Sequence, residues 1–355
     1  MIAFVFELDG DNEIFLLTLP GIDVGERDKY QLTNNEFDDS VPAWSPHGDQ
    51  LAFSSDRDGN QEIYVLEIDK VLDGAQGYEP QRLTHDEGED MLPAWSPDGS
   101  QIAFSSNRDG NWEIYVINSD GTSLRRLTDN PEKDMKLSWS PDGSQVAYDS
   151  GGIALRDIYI MEADGGNPRL LIQADGGWPA WSPNGSQIAY FGRLDDIPEI
   201  YIVNADGTHM HRITENNIDD WEPSWSPDGS QIAYDSGGIA LRGIYIMEAD
   251  GGNPRLLIQA DGGWPTWSPD GSQIAFFGRL DGNPEIYVVN AVGTNKRRIT
   301  ENNVDDWEPS WSPDGKWLLY TSGRTTDIYV IKMYTLETYR LMQDSHSNWV
   351  PIWRP

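Results

Sequence analysis

The chain has 355 residues, of which 59 are acidic and 25 basic, so its formal net charge at pH 7 is −34. Such a charge repels phosphate backbones, which excludes nucleic acid as an expected partner, and it attracts cations and basic proteins. Cysteine is absent, which excludes disulfides, Cys-ligated metals and thiol catalysis, and no apolar run approaches the ~18 residues of a membrane span.

A Trp-x-Pro motif recurs along the whole chain and is the main sign of its organisation. Its eight tryptophans follow one another with a period of about 43 residues: Trp44, Trp95, Trp139, Trp181, Trp225, Trp267, Trp311 and Trp353. Repeats of this length, each with several short strands, are typical of β-propeller blades. Because no segment is left over, we predict a single propeller domain over residues 1–355.

The repeat that begins near residue 93 shows the predicted elements in chain order. Its first strand, Pro93–Ser96, runs into Ser-Pro-Asp-Gly, a composition typical of a type I turn. Gln101–Ser105, Glu113–Ile117 and Arg125–Thr128 follow as predicted second, third and fourth strands, separated by turns rich in Gly, Asn and Asp. No stretch between these turns is long enough for an amphipathic helix, so the predicted fold is all-β.

The number of repeats predicts the number of blades. Seven complete repeats begin near residues 42, 93, 137, 179, 223, 265 and 309. Residues 1–33 supply only three strands, and the missing one is found at the other end of the chain, in residues 349–355. We therefore predict an eight-bladed β-propeller of four-stranded blades, closed by the C-terminal strand joining the N-terminal blade. Closure leaves no open sheet edge, so a monomer is expected.

The repeated residues resemble the TolB-type, WD40-like propeller repeat. The similarity rests on Pro-x-Trp-Ser-Pro-Asp-Gly-x-x-Ile-Ala-Phe, then Ser-x-Arg-x-Gly, Ile-Tyr-Val and Arg-x-Leu-Thr, and covers nearly the whole chain. The resemblance implies a propeller and favours a periplasmic or extracellular protein, with a cytoplasmic one left open. TolB itself is described with six blades and an N-terminal α/β domain, whereas eight repeats are present here.

One pair of repeats is duplicated. Residues 139–224 and 225–310 align without gaps and differ at 13 of 86 positions. A catalytic site built into one pair would now exist twice, which enzymes seldom need, whereas a repeated binding surface can use both copies. The duplication therefore favours binding over catalysis.

The loops that precede the first strands are predicted to share one end of the propeller, at the mouth of its channel. They are acidic and rich in Trp, and the predicted ligand-binding residues are Trp178, Trp221, Trp264, Trp307, Trp349, Asp90, Asp220 and Asp306. Trp rings beside carboxylates can stack a sugar or hold an organic cation. In the alternative, structural interpretation, each Trp wedges between adjacent blades and the acids are only solvated.

The turn before the third strand carries oxygen ligands at alternate positions. Asp56, Asp58 and Asn60 form this pattern in blade 2, and Asp109 belongs to the equivalent turn of blade 3. Calcium prefers several oxygens from a short loop, so Ca²⁺ is a candidate ligand, although no cofactor is required. The alternative is a hairpin turn whose acid pairs with the neighbouring Arg57 or Arg108.

No catalytic residues are predicted, because the sequence lacks a Gly-x-Ser-x-Gly elbow and a phosphate-binding loop. The favoured function is a non-catalytic scaffold that binds a protein or peptide, with a basic one preferred, or another envelope or extracellular ligand through the acidic, Trp-rich mouth. The alternative is a carbohydrate-binding or carbohydrate-active propeller, similar to a glycosidase or lyase, that takes a small glycan there.

Overall fold

The computed structural model describes residues 1–8, 10–19, 29–74, 78–151, 157–172, 177–193, 197–237, 242–280, 282–323, 327–341 and 351–355. Almost all regular structure in these residues is β, arranged as eight four-stranded antiparallel sheets that are the blades of a β-propeller. The chain divides into two compact units, which are described in turn.

The first unit comprises Met1–Gly152, Tyr159–Pro168 and His346–Pro355. Its elements are β1 (Ile2–Leu8), β2 (Asp11–Leu17), β3 (Lys29–Gln31), β4 (Asp39–Trp44), β5 (Gln50–Ser55), β6 (Glu62–Glu67), α1 (Ile68–Leu72), β7 (Gln81–Arg82), β8 (Asp90–Trp95), β9 (Gln101–Ser106), β10 (Glu113–Asn118), β11 (Arg125–Arg126), β12 (Asp134–Trp139), β13 (Gln145–Ser150), most of β14 (Asp157–Glu162) and, far along the chain, β32 (Ile352–Trp353).

The second unit comprises Ile153–Ile158 and Arg169–Ser345. Its strands are β15 (Arg169–Ile172), β16 (Gly177–Trp181), β17 (Gln187–Gly192), β18 (Glu199–Asn204), β19 (His211–Arg212), β20 (Asp220–Trp225), β21 (Gln231–Ser236), β22 (Gly243–Glu248), β23 (Arg255–Gln259), β24 (Gly262–Trp267), β25 (Gln273–Gly278), β26 (Glu285–Asn290), β27 (Arg297–Arg298), β28 (Asp306–Trp311), β29 (Trp317–Ser322), β30 (Asp327–Lys332) and β31 (Glu337–Arg340).

Each blade uses four strands, and the N-terminal blade draws one from the other end of the chain. β4 to β7 form one sheet, and the same order repeats through β28 to β31. In the first sheet, β32 pairs with β1, bringing Trp353 opposite Ile2. The prediction of eight four-stranded blades, with the N-terminal blade completed by the C-terminal strand, is confirmed.

The motif tryptophans lie between successive sheets. Trp95 is 8% exposed and packs with Ile63 of the preceding sheet and with Phe104 of its own sheet. Its indole N–H donates to the carbonyl of Ala43 in the preceding first strand, with N and O 3.0 Å apart. Trp267 donates in the same way to the carbonyl of Ser224, at 3.0 Å. These tryptophans therefore belong to the architecture.

Two local features differ from the sequence expectation. First strands begin two or three residues earlier than predicted, for example at Asp90 rather than near residue 93, because a β-bulge continues the pairing before the predicted start. A helix of five residues, Ile68–Leu72, follows β6 and was not predicted, since it is shorter than any amphipathic pattern can reveal. Among the described residues, no helix has the length and apolar character to cross a bilayer.

Candidate ligand-binding face

A β-bulge interrupts the first strand of the blades three residues before the motif Trp. The register shifts there, for example between Trp221 and Ser224, and the bulged residue is held at positive φ. The described bulge residues, with φ between 50° and 59°, are Val41, Leu92, Lys136, Glu222, Trp264 and Glu308. Such a conformation costs on the order of 1–3 kcal/mol in a residue other than Gly, and a bulge re-aims its side chain. Because the residue type changes from blade to blade, each bulge presents different chemistry on a constant backbone.

Trp264 is the most accessible of the predicted aromatic residues that the structure describes. Its side chain is 38% exposed although it is large and apolar. Its backbone N–H donates to Glu222 Oε2 at 2.8 Å, which ties the bulge of one blade to that of the preceding blade. The ring meets Phe277 and Trp307 edge-on, with centroids 5.5 and 6.5 Å apart. Trp264 is thus fixed in place and still open to a ligand.

Trp221 and Trp307 are half-buried and held between an aromatic ring and an arginine. Trp307 lies 4.7 Å from Phe277 between centroids, and the Arg279 guanidinium carbon is 5.3 Å from its ring. Trp307 also packs against the buried cluster that contains Trp311 and Leu318, as the wedge interpretation expects. The side chain of Trp178 and the whole of Trp349 lie outside the described residues.

The three predicted acids occupy interior positions. Asp90, Asp220 and Asp306 are each 0% exposed and begin their first strands. Asp220 Oδ2 accepts from the Asn216 amide at 2.8 Å, and Asp306 Oδ2 accepts from Asn302 at 2.8 Å. Because these side chains are buried, they are neither solvated nor open to a ligand as expected from the sequence. Their sequence neighbours are more accessible, since Asp219 is partly exposed and Asp305 is exposed.

These buried acids form carboxyl pairs with the Glu that begins a third strand. In the pair of Glu199 and Asp220, burial raises the pKa of Glu199 to about 7, although hydrogen bonds from Thr214 and Asn216 lower it. Burial likewise raises the pKa of Asp306 and of Asp90 to about 6, against lowering hydrogen bonds from Ser322 and Ser106. A buried carboxyl pair without full charge compensation retains a proton near neutral pH.

A second close carboxyl pair, Glu222 and Asp235, lies beside Trp264. A Cβ at Gly263 would stand 2.8 Å from Asp235 Oδ2 and 3.3 Å from Glu222 Oε2, so only Gly lets both carboxylates approach here. Burial raises the pKa of Asp235 to about 7 even though Arg242 pairs with it at 2.9 Å. Sequence reasoning missed Asp235, because an Asp inside a strand gives no signal of what faces it.

The four residues proposed as calcium ligands do not converge. Asp56 Oδ1 accepts from the backbone N–H of Asp38 at 2.9 Å, and Asp58 accepts from the Tyr64 hydroxyl and pairs with Arg82 at 2.8 Å. Asn60 uses its amide as a donor to backbone carbonyls, and Asp109 repeats the contacts of Asp58 with Tyr115 and Arg126. The turn acid therefore pairs with an arginine of the fourth strand rather than with the neighbouring arginine.

The neighbouring Arg57 and Arg108 instead bind the acid that begins the first strand. Arg57 Nη2 lies 2.8 Å from Asp39, and Arg108 Nη2 lies 2.6 Å from Asp90 and 2.6 Å from Asp86. Among the described residues, one acidic group has its carboxylate oxygens close enough to share a metal ion: Glu62, Asp86 and Asp90, all within 4.8 Å. Because Arg108 and Arg82 already pair with all three, a metal would have to displace a guanidinium.

Comparison with known proteins agrees with this architecture. The TolB beta propeller domain profile matches residues 71–178, 172–264 and 258–355. The Tol-Pal system protein TolB of Desulfosudis oleivorans is 40% identical over 67 residues, which are 19% of this chain and 14% of that protein. The chain thus aligns with only a small part of that relative.

Two solved structures share the fold at low sequence identity. An oligogalacturonate lyase in complex with manganese has a TM-score of 0.62 and 17% identity, covering 90% of this chain and 95% of that one. The dipeptidyl peptidase 4 of Porphyromonas gingivalis has a TM-score of 0.67 and 14% identity, covering 94% and 58%. At such identities the likeness concerns the fold alone. The profile match spans most of the chain, and the chain therefore belongs to the TolB β-propeller family.

Proposed function

We propose that this chain is a non-catalytic binding scaffold that holds a protein or peptide partner, with a basic one favoured, on the face formed by Trp221, Glu222, Trp264, Trp307 and Glu308, called here the aromatic face. The observation that carries the proposal is Trp264, which stays 38% exposed while a backbone hydrogen bond to Glu222 fixes its position. A rigid, accessible indole beside carboxylates suits a cationic side chain. Membership of the TolB family supports a scaffold.

The setting of this function is part of the same proposal. We place the protein in the periplasm or outside the cell, as a monomer with one propeller domain, because it is similar to TolB proteins and its N-terminal blade is completed by β32. The net charge of −34 supports attraction of a basic partner through long-range electrostatics.

The test compares two exposed aromatic residues. Trp264→Ala is expected to weaken binding to an array of Lys- and Arg-rich peptides about tenfold, since cation–π contacts are worth about 1–2 kcal/mol. The melting temperature should change little, because the ring is partly exposed. Tyr334→Ala, at a side chain that is 67% exposed in the β30–β31 turn, is the matched control and should bind as wild type.

Two outcomes of this comparison contradict the proposal. Unchanged peptide binding by the Trp264 variant would remove the aromatic face as the binding site. A loss of several degrees in melting temperature would instead show that Trp264 acts as a structural wedge between blades.

A carbohydrate-directed function is the second candidate, favoured by Glu222 and Asp235 beside Trp264. Two carboxyls, one with its pKa raised to about 7 by burial, are a combination that general acid–base chemistry uses. Turnover of oligosaccharides, oligogalacturonate included, that Asp235→Asn abolishes would establish this function and contradict a non-catalytic scaffold. Absence of both turnover and glycan binding would eliminate it.

A further inference from the structure

The aromatic face contains two copies of one arrangement, which come from the internal duplication. Phe191, Arg193, Trp221 and Glu222 in the first copy correspond to Phe277, Arg279, Trp307 and Glu308 in the second, 86 residues later. None of the 13 differences between the copies falls on these eight residues.

The two copies also have the same geometry. The ring centroids of Phe191 and Trp221 are 4.8 Å apart at 50°, and those of Phe277 and Trp307 are 4.7 Å apart at 55°. The guanidinium carbon of Arg193 lies 5.1 Å from the Trp221 ring, against 5.3 Å for Arg279 and Trp307. The second unit thus presents one Phe–Trp–Arg stack twice.

Elsewhere the copies have diverged in charge and size. Three of the differences fall in the turn between the third and fourth strands, and a fourth falls on the first residue of the fourth strand. The first copy has Asp206, His209, Met210 and His211 there, and the second has Val292, Asn295, Lys296 and Arg297. By strand register, this turn lies at the end of the sheet opposite the Phe–Trp–Arg stack. The turn has changed while the stack has not.

The loop before each stack adds an exposed aliphatic residue and an acid that solvent reaches to a different extent in the two copies. Ile218 is 43% exposed and Val304 is 46% exposed. Each is followed by an Asp, of which Asp219 is partly exposed and Asp305 is exposed. An aliphatic residue beside a carboxylate fits the long aliphatic stem and terminal charge of a lysine. The two copies differ here only by one methylene group.

We propose that the chain binds one extended basic peptide segment at two equivalent points, one at Asp219 and Trp221 and the other at Asp305 and Trp307. This inference rests on the proposed scaffold function and specifies its partner as a chain with cationic side chains at two separated positions. Joining two weak contacts on one ligand makes the second contact intramolecular, which multiplies the affinity. The chain's negative charge complements such a partner.

The test uses oligolysine peptides of increasing length, titrated calorimetrically at about physiological ionic strength, where long-range attraction is screened beyond ~8 Å. Wild-type protein should bind two short peptides per chain. Affinity should rise at least tenfold, and stoichiometry fall to one, once a peptide spans both points. Asp219→Lys and Asp305→Lys should each abolish this rise and leave one short peptide bound, while the double variant should bind none.

Matched controls make the outcomes distinguishable. Glu162→Lys and Glu248→Lys make the same charge change at corresponding exposed positions of the duplicated pair, at the end of β14 and β22, and should keep the length-dependent rise. Asp219→Asn and Asp305→Asn repeat the test if a lysine variant folds poorly. If affinity still rises with peptide length in either single variant at Asp219 or Asp305, two-point binding is overturned, whereas the proposed scaffold function is not contradicted. Equal weakening in the controls shows non-specific charge attraction and overturns both proposals.

Discussion

The two copies of the duplicated blade pair bury the same carboxyl pair in different electrostatic states. Glu199 and Asp220 in the first copy correspond to Glu285 and Asp306 in the second, and in both the Glu accepts from a Thr hydroxyl at 2.5 Å. Burial raises the pKa of Glu199 to about 7. At Glu285 burial also acts to raise the pKa, but hydrogen bonds from Thr300, Asn302 and Arg298 outweigh it, and the pKa is lowered.

The position of one arginine side chain accompanies this difference. Arg298 Nη2 lies 2.8 Å from Glu285 Oε1, whereas Arg212 Nη2, its counterpart, lies 3.2 Å from Glu215 on the exposed loop. The residues next to them differ, with Arg297 replacing His211. Identical buried residues therefore ionise differently because of where a surface arginine points, which no inspection of the buried residues alone would reveal.

The largest expected effect comes from removing these arginines. Arg298→Ala should destabilise the protein by roughly 3 kcal/mol, because it leaves the buried Glu285 carboxylate without its cation. Arg212→Ala should cost much less, since Glu215, with which it forms an ion pair, is 85% exposed. Urea unfolding of both variants at pH 7 measures the difference, and equal losses would show that the two arginines play the same part in solution.

The pH dependence of stability should separate the two glutamates. The folded-state pKa of Glu199 is about 7 against an ordinary 4.5, so the folded state binds the extra proton between these values. Stability therefore falls as pH rises through that window and is level above it. The lowered pKa of Glu285 has the opposite consequence: its contribution is present above pH 4.5 and is lost as pH falls through the folded-state pKa.

The free energy of unfolding should therefore decrease less between pH 5 and pH 8 in Glu199→Gln than in the wild type. The difference should be on the order of 1 kcal/mol. Glu285→Gln changes the formal net charge of −34 by the same one unit, but it should leave this decrease as large as in the wild type. It is therefore the matched control for the effect of net charge on stability. Urea midpoints across this pH range test the difference. Identical slopes for the two variants would contradict the assignment of the extra proton to Glu199 rather than to Glu285.

The repeat in the sequence was enough to predict the blades, but not the functional face. Trp95 and its equivalents mark every blade, so period and strand content together predict eight sheets, and turn composition predicts their connections. Asp90 and Asp220 were assigned to solvent or ligand because they stand in acidic loops, yet they start strands and are buried. Local composition cannot show which loop acid turns inward, because that depends on partners such as Arg108 and Asn216 from distant positions.

The bulge at Trp264 illustrates the same limit. The sequence placed this Trp in a loop three residues before a motif Trp, and the structure places it in β24 at a φ of 52°. Its accessibility follows from the bulge and from a hydrogen bond to Glu222, 42 residues away. Neither feature has a local sequence signal.

The smallest expected effect concerns the acidic group Glu62, Asp86 and Asp90, where one blade departs from the others. Asn35, Asn130, Asn216 and Asn302 hold the position of Asp86 in other blades, and each donates to the buried Asp that begins the next first strand. Asp86→Asn would restore that donor while removing one partner of Arg108, so the net change in stability should stay within about 1 kcal/mol.

Calcium should leave the melting temperature of the wild type and of this variant unchanged, because Arg82 and Arg108 already pair with the carboxylates of this group. Thermal unfolding in millimolar calcium and in chelator measures this directly. A calcium-dependent rise that Asp86→Asn abolishes would mean that the ion displaces Arg108 from between Asp86 and Asp90. In that case Arg108→Ala should strengthen calcium binding, whereas under the ion-pair interpretation it only leaves the buried Asp90 without its cation.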